Sequence, residues 1–231
     1  MSEDTPLAGK TALVTGSSKG IGAATAEALA RAGAHVVITG RDVRSLERVE
    51  DAIHAFGGSA TIAPVDLTET DAVPRLAVAI AGRWDTLDIL VINAAFLPSL
   101  GPVVHIDGKQ FNQAITVNLL ATQALLASFD PLLKRAPAAR VIGLTSSVGA
   151  EPRAYWGAYG ATKAAFDTLL DSYAQEVGGI SKVRTAIIDP GATRTQMRAR
   201  AYPGEDPNTV KEPSVVADRI VSLVVDDFEN R

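Results

Sequence analysis

An apolar strand that ends in a glycine turn and passes straight into an alanine-rich helix constrains this chain more than any other stretch of it. Residues 11–15 read TALVT, the turn reads Gly16-Ser-Ser-Lys-Gly20-Ile-Gly22, and the helix continues as AATAEALARAG. A strand with almost no polar alternation is one buried on both faces, inside a parallel sheet covered by helices. Further Val/Ile/Leu-rich runs at 35–39, 60–65, 89–92, 140–144 and 183–188 alternate with amphipathic stretches. That alternation predicts an α/β fold with helices on both faces of a doubly wound parallel sheet, in the strand order 3-2-1-4-5-6.

The helices carry their own punctuation. Asp42 can cap a helix whose Leu46, Val49, Ile53 and Phe56 share one face, and Gly57 ends it. A last helix opens at Pro213 and is expected to bury Val216, Ile220 and Leu223. Between them, residues 193–213 read TRTQMRARAYPGEDPNTVKEP, rich in Pro, Gly and charge, which predicts a mobile flap. At 231 residues and 47% hydrophobic content the chain suits one domain over 1–231.

Composition narrows the function. A net charge of -4 with singly scattered Lys and Arg leaves no basic stripe for nucleic acid. Cysteine is absent, and the three histidines show no ligand spacing, so neither a thiolate nor a metal site is expected. The start lacks the basic end and apolar core of a signal peptide, and no run of ~18 apolar residues follows, so a cytoplasmic protein with no membrane partner is expected.

The glycine turn is suited to a pyrophosphate: its backbone permits close approach, and the helix behind it offers free N–H groups and a positive dipole end. At the other end of the chemistry, Tyr159 and Lys163 are spaced to share one helix face. A phenol titrates near ~10, and an adjacent ammonium stabilises its anion, so Lys163 is expected to bring Tyr159 toward the working range. Ser146, or its neighbour Ser147, could donate to a substrate oxygen beside that phenol.

The spacing Gly-x-x-x-Gly-x-Gly after Thr15, together with Tyr159-Gly-Ala-Thr-Lys163 and Ser146 thirteen residues before the Tyr, resembles the short-chain dehydrogenase/reductase family. The resemblance runs from Lys10 to about Asp226. It implies a Rossmann-like oxidoreductase that binds a dinucleotide through Gly16, Ser18, Lys19, Gly20, Ile21 and Gly22, with Asp66 and Leu67 at the adenine. It implies that Asn93, Ala94 and Ala95 form the turn after the fourth strand, although Ile92 and Ala95 stand where the family has Asn and Gly. It gives Lys163 a second role at the nicotinamide ribose, and lets Asn118 interrupt a helix and fix a water that joins Lys163 to solvent. Pro190 and Gly191 would bend the chain around the nicotinamide, with Thr193 near its carboxamide.

The carboxylate that takes the ribose hydroxyls in NAD-binding members of such folds is replaced here by Gly40. Arg41 follows and Lys19 sits in the glycine turn, so two cations could flank a 2′-phosphate with no opposing acid, and NADP(H) is preferred over NAD(H). The expected substrate is a small carbonyl or alcohol, and the expected assembly a homodimer or homotetramer through the helices bearing Asn118 and Tyr159. A catalytically silent NADP(H)-binding sensor or scaffold is the alternative. The family usually adds a strand after the last helix, whereas this chain stops at DDFENR, so a sheet lacking that strand is expected.

Overall fold

In the computed structural model, which describes residues 5–226, the strands form one parallel sheet of six in the order β3-β2-β1-β4-β5-β6. They are β1 Thr11–Thr15, β2 His35–Gly40, β3 Ser59–Pro64, β4 Ile89–Ile92, β5 Arg140–Leu144 and β6 Arg184–Ile188. Strand β1 pairs with β2 on one side and β4 on the other, so the chain reverses its winding there. Loops leaving β1 and β4 diverge at that point and open a crevice at the carboxyl end of the sheet.

The helices are α1 Gly20–Arg31, α2 Val43–Ala55, α3 Ala72–Ala81, α4 Gly108–Ile115, α5 Ala121–Arg135, α6 Ser147–Ala150, α7 Gly157–Gly178, α8 Gln196–Ala201 and α9 Pro213–Val225. Successive strand residues point to opposite faces, and both faces are apolar, as the unalternating runs require. Leu13, Val37 and Leu90 meet Leu76, Phe129 and Phe166 of α3, α5 and α7. On the other face Val14, Val36 and Ile142 meet Leu29 of α1, Leu46 of α2 and Ile220 of α9.

Asp42 caps α2 by accepting from Ser45 N at 3.3 Å, and Leu46, Val49 and Ile53 are buried. Gly57, at φ 83, ends the turn beyond it in a conformation that suits glycine. In α9 the apolar stripe runs through Val216, Ala217, Ile220 and Val224, while Leu223 is only half-buried. Val216 and Ile220 are buried as expected, and Leu223 packs against the same cluster beside the more deeply buried Val224.

Counted through a π turn at Thr116–Leu120, the stretch Gly108–Arg135 is long and apolar enough to cross a membrane, at a mean hydropathy of 1.2. Here its apolar residues Leu125, Leu126, Phe129, Leu132 and Leu133 are packed into the core over the sheet.

The segment 193–213 carries local structure of its own. It contains α8, a 3₁₀ turn at Pro207–Thr209 and a bridge between Thr193 and Lys211. Thr195 caps α8 by accepting from Arg198 N, and Arg198 donates to Glu205 at 2.6 Å while its guanidinium lies over the Tyr202 ring. Arg194 pairs with Glu212, and Arg200 donates to the Leu97 carbonyl at 2.7 Å. The charges that suggested mobility are satisfied within the segment and against the body of the protein. The residues after Asp226, where the family's further strand would follow, lie outside the described residues.

Candidate active site

The glycine turn is built by close approach. Gly16 and Gly20 have φ of 65° and 58°, and a Cβ on Gly22 would lie 2.3 Å from the Gly16 carbonyl oxygen. Thr15 and Asn93 tie this turn to the end of β4. Thr15 Oγ1 accepts from Asn93 N at 3.0 Å and Ala94 N at 3.1 Å, and Asn93 Nδ2 donates to Thr15 O at 2.8 Å and Gly16 O at 3.2 Å. The turn therefore holds together with Ile92 and Ala95 at the positions where the family has Asn and Gly. No side chain caps the first turn of α1, so its N–H groups remain open to a ligand.

These groups border a cleft of about 950 Å³. Gly16, Ser18, Lys19, Gly20 and Ile21 line one stretch of it, Arg41, Asp66 and Leu67 another, and Asn93, Ala94 and Ala95 a third. Tyr159, Lys163 and Pro190 also line it. Gly22 is buried behind the turn, where its missing side chain makes the approach possible. A second cavity of about 360 Å³ adjoins, with Ser146, Ser147, Gly191 and Thr193 in its wall and Tyr159 common to both. Its apolar side is Leu97, Val148, Trp156, Met197 and Tyr202.

Lys163 and Tyr159 share one face of α7 as their spacing predicts, with the ammonium 5.9 Å from the phenol ring centroid. Their electrostatics differ from the expectation. Burial, and then the charge of Asp189, push the Tyr159 phenol above its ordinary value. Lys163 is fully enclosed and donates to the Leu144 carbonyl at 2.6 Å, and burial brings its ammonium down to about 8 against the upward pull of Asp167. Burial and the Asp189 carboxylate both act upward on the phenol, which is why it is not lowered.

The two cations set aside for a 2′-phosphate are not without acids. Arg41 Nη1 lies 4.0 Å from Asp66, and Lys19 acts electrostatically on Asp42 while donating to Gln196 at 2.8 Å. Asp66 also accepts from the N–H and hydroxyl of Thr68, so it organises the turn after β3 as well as facing the cleft. Burial raises its carboxyl, and the Thr68 bonds with Arg41 more than reverse that.

Asn118 lines neither cavity. It sits in the π turn at 1% exposure, where Oδ1 accepts from Phe96 N at 2.7 Å and Nδ2 donates to Phe96 O and Thr162 Oγ1. It thus clamps the chain beyond β4 to the helix that bears Tyr159. Asn118→Ala leaves the half-buried Phe96 N–H without this partner, and a loss on the order of 1–2 kcal/mol in denaturant unfolding is expected.

Sequence reasoning gave no role to Thr15, Asp189, Thr195 or Gln196, all of them in or against the cleft walls. Thr195 followed by the helix-forming run 196–201 was the available signal, a capping residue before good helix formers.

The family model for short chain dehydrogenase matches residues 10–206. The oxidoreductase YciK of Escherichia coli strain K12 is 34% identical over 222 residues, 95% of this chain and 87% of its own length. The solved structure of the E. coli oxidoreductase yciK superposes with a TM-score of 0.94 at 33% identity, covering 100% of this chain and 96% of that one. A metagenomic short-chain oxidoreductase solved in complex with NADP is similar too, at a TM-score of 0.84 and 34% identity, covering 96% and 93%.

Proposed function

The chain belongs to the short-chain dehydrogenase family of oxidoreductases, and from that premise we propose that it interconverts a carbonyl and an alcohol with NADP(H). The observation that carries the reading is the position of Tyr159, whose side chain lines both the large cleft and the smaller cavity beside it. The open glycine turn, its uncapped helix and the cleft of about 950 Å³ suit a dinucleotide. When bound, such a cofactor supplies or accepts the hydride.

The chain's own groups do the rest. The substrate occupies the smaller cavity, its oxygen between the Ser146 and Tyr159 hydroxyls. Ser146 donates a hydrogen bond where negative charge grows on that oxygen, and Tyr159 gives its proton to it or takes one back. A phenol held above its ordinary value is protonated near neutral pH, the form that carbonyl reduction needs as its proton donor. Leu97, Val148, Trp156 and Met197 keep water from the reacting groups and suit an apolar substrate body. Lys163 presents positive charge beneath Tyr159 as the proton leaves. A panel of ketones and aldehydes, followed by loss of NADPH absorbance, tests the reading; binding of NADPH with no turnover of any of them would favour a silent sensor.

NADP(H) is preferred over NAD(H) in this reading because Gly40 stands where NAD-binding members carry a carboxylate and Arg41 stands at the cleft. The Arg41–Asp66 pair is loose and largely exposed, so it yields readily to a dianionic phosphate. Arg41→Ala should weaken NADPH binding about tenfold, a loss of ~1.4 kcal/mol, and leave NADH binding nearly unchanged. Equal effects on the two dinucleotides in fluorescence titration would remove the phosphate assignment.

A further inference from the structure

One charged group beside Lys163 has no part in the chemistry above. Asp167 follows Lys163 by four residues on α7, the spacing that sets two side chains on adjoining turns of one face. It is half-buried, and its Oδ1 is shielded from solvent without a hydrogen-bond partner among the described residues. Thr145, just past the end of β5, brings its hydroxyl toward the same carboxylate, yet Thr145 Oγ1 is also buried and makes no bond of good geometry. A carboxylate oxygen taken from water and denied a donor needs an opposite charge nearby or it takes up a proton. The charges acting on Asp167 are Lys163 and Asp171 from its own helix and Asp189 from the loop after β6. Lys163 alone among them is a cation, and it is fully enclosed against the Leu144 carbonyl.

We propose that Asp167 is a positioning residue: its carboxylate is the counter-charge that keeps Lys163 in the ammonium form, seated on the Leu144 carbonyl beneath Tyr159. The proposal rests on the reading of Tyr159 and Lys163 as the working pair. Burial alone drives Lys163 downward, and Asp167 opposes it, leaving the ammonium at about 8. At pH 7 such a group is roughly nine-tenths charged, and a further fall of about one unit would leave it about half charged. Asp167 therefore raises the charged fraction of the cation under the phenol at neutral pH. Reciprocally, burial raises the carboxyl of Asp167, with Asp171 and Asp189 adding to it, while Thr145 and Lys163 hold it down.

The test reads Lys163 directly. The full chain is labelled with ¹³C-lysine and its Cε signals are titrated, that of Lys163 being assigned by its loss in Lys163→Met. Asp167→Asn, which keeps the shape and removes the charge, should move the Lys163 midpoint down by about one pH unit, and Asp167→Glu should return it. Asp167→Ser, neutral and smaller, carries the same expectation if the Asn variant does not fold. An unchanged midpoint in a folded neutral variant overturns the proposal. With any carbonyl substrate that is reduced, the alkaline fall in kcat should shift by the same amount in Asp167→Asn and return in Asp167→Glu. A shifted midpoint in a chain that reduces no carbonyl supports the charge pairing while removing the enzymatic reading, so the two failures are told apart.

Discussion

Tyr159→Phe is expected to lower kcat at least about a thousandfold while NADPH affinity stays within about twofold. The substitution removes one hydroxyl and nothing else. The ring is buried with Leu97 and Val148 and meets Trp156 edge to face at 6.1 Å, contacts that phenylalanine keeps. Among the described residues the hydroxyl bonds only the Met197 sulfur, at 4.0 Å, so the fold loses little when it goes. What disappears is the proton that a developing alkoxide needs, and positioned general acids contribute about 10²–10⁴ in rate. Steady-state reduction of a carbonyl substrate beside fluorescence titration with NADPH separates chemistry from binding. A variant that kept a tenth of the original kcat would assign the proton to another group.

Gly22→Ala should weaken NADPH binding by more than about tenfold and cost on the order of 1–3 kcal/mol of stability. Its new methyl would stand 2.3 Å from the Gly16 carbonyl oxygen, 2.5 Å from Asn93 Nδ2 and 2.8 Å from the Gly16 carbonyl carbon. Two of these contacts are backbone, so relief requires the turn itself to move. Asn93 Nδ2 bonds both Thr15 O and Gly16 O, and moving it loosens the join between β1 and β4 along the cleft. Gly101→Ala is the control, because a Cβ there meets nothing within 4 Å. Denaturant midpoints and NADPH titration check both variants; unaltered NADPH binding in Gly22→Ala would mean that the glycine turn is not where the dinucleotide sits.

Much of the architecture was legible because its signals are local. The unalternating run TALVT could belong only to a strand covered on both faces, and Leu13 and Val14 indeed enter opposite cores. The four-residue spacing of Tyr159 and Lys163 needs only a helix to bring both to one cleft. The local structure within segment 193–213 was not legible, because part of it is held by distant partners. Arg200 finds the Leu97 carbonyl across 103 residues, and Gln196 finds Lys19 across 177. Asn118 gave a similar problem: its place in a helix could be read, whereas its partners Phe96 and Thr162 arrive from other elements.

By itself the sequence determined the six strands, the order in which they wind, the helices that carry clear caps or stripes, and many of the residues that reach the cleft. Those properties follow from periodicity and spacing, which are carried by neighbours along the chain. Only the tertiary structure decided the charge states and loyalties of those residues: a phenol raised where a lowered one was expected, an ammonium turned to Leu144, an Arg41 facing Asp66. The reason is that a proton's affinity depends on lost water and on charges a few ångströms away, and folding supplies both from parts of the chain that no local pattern connects.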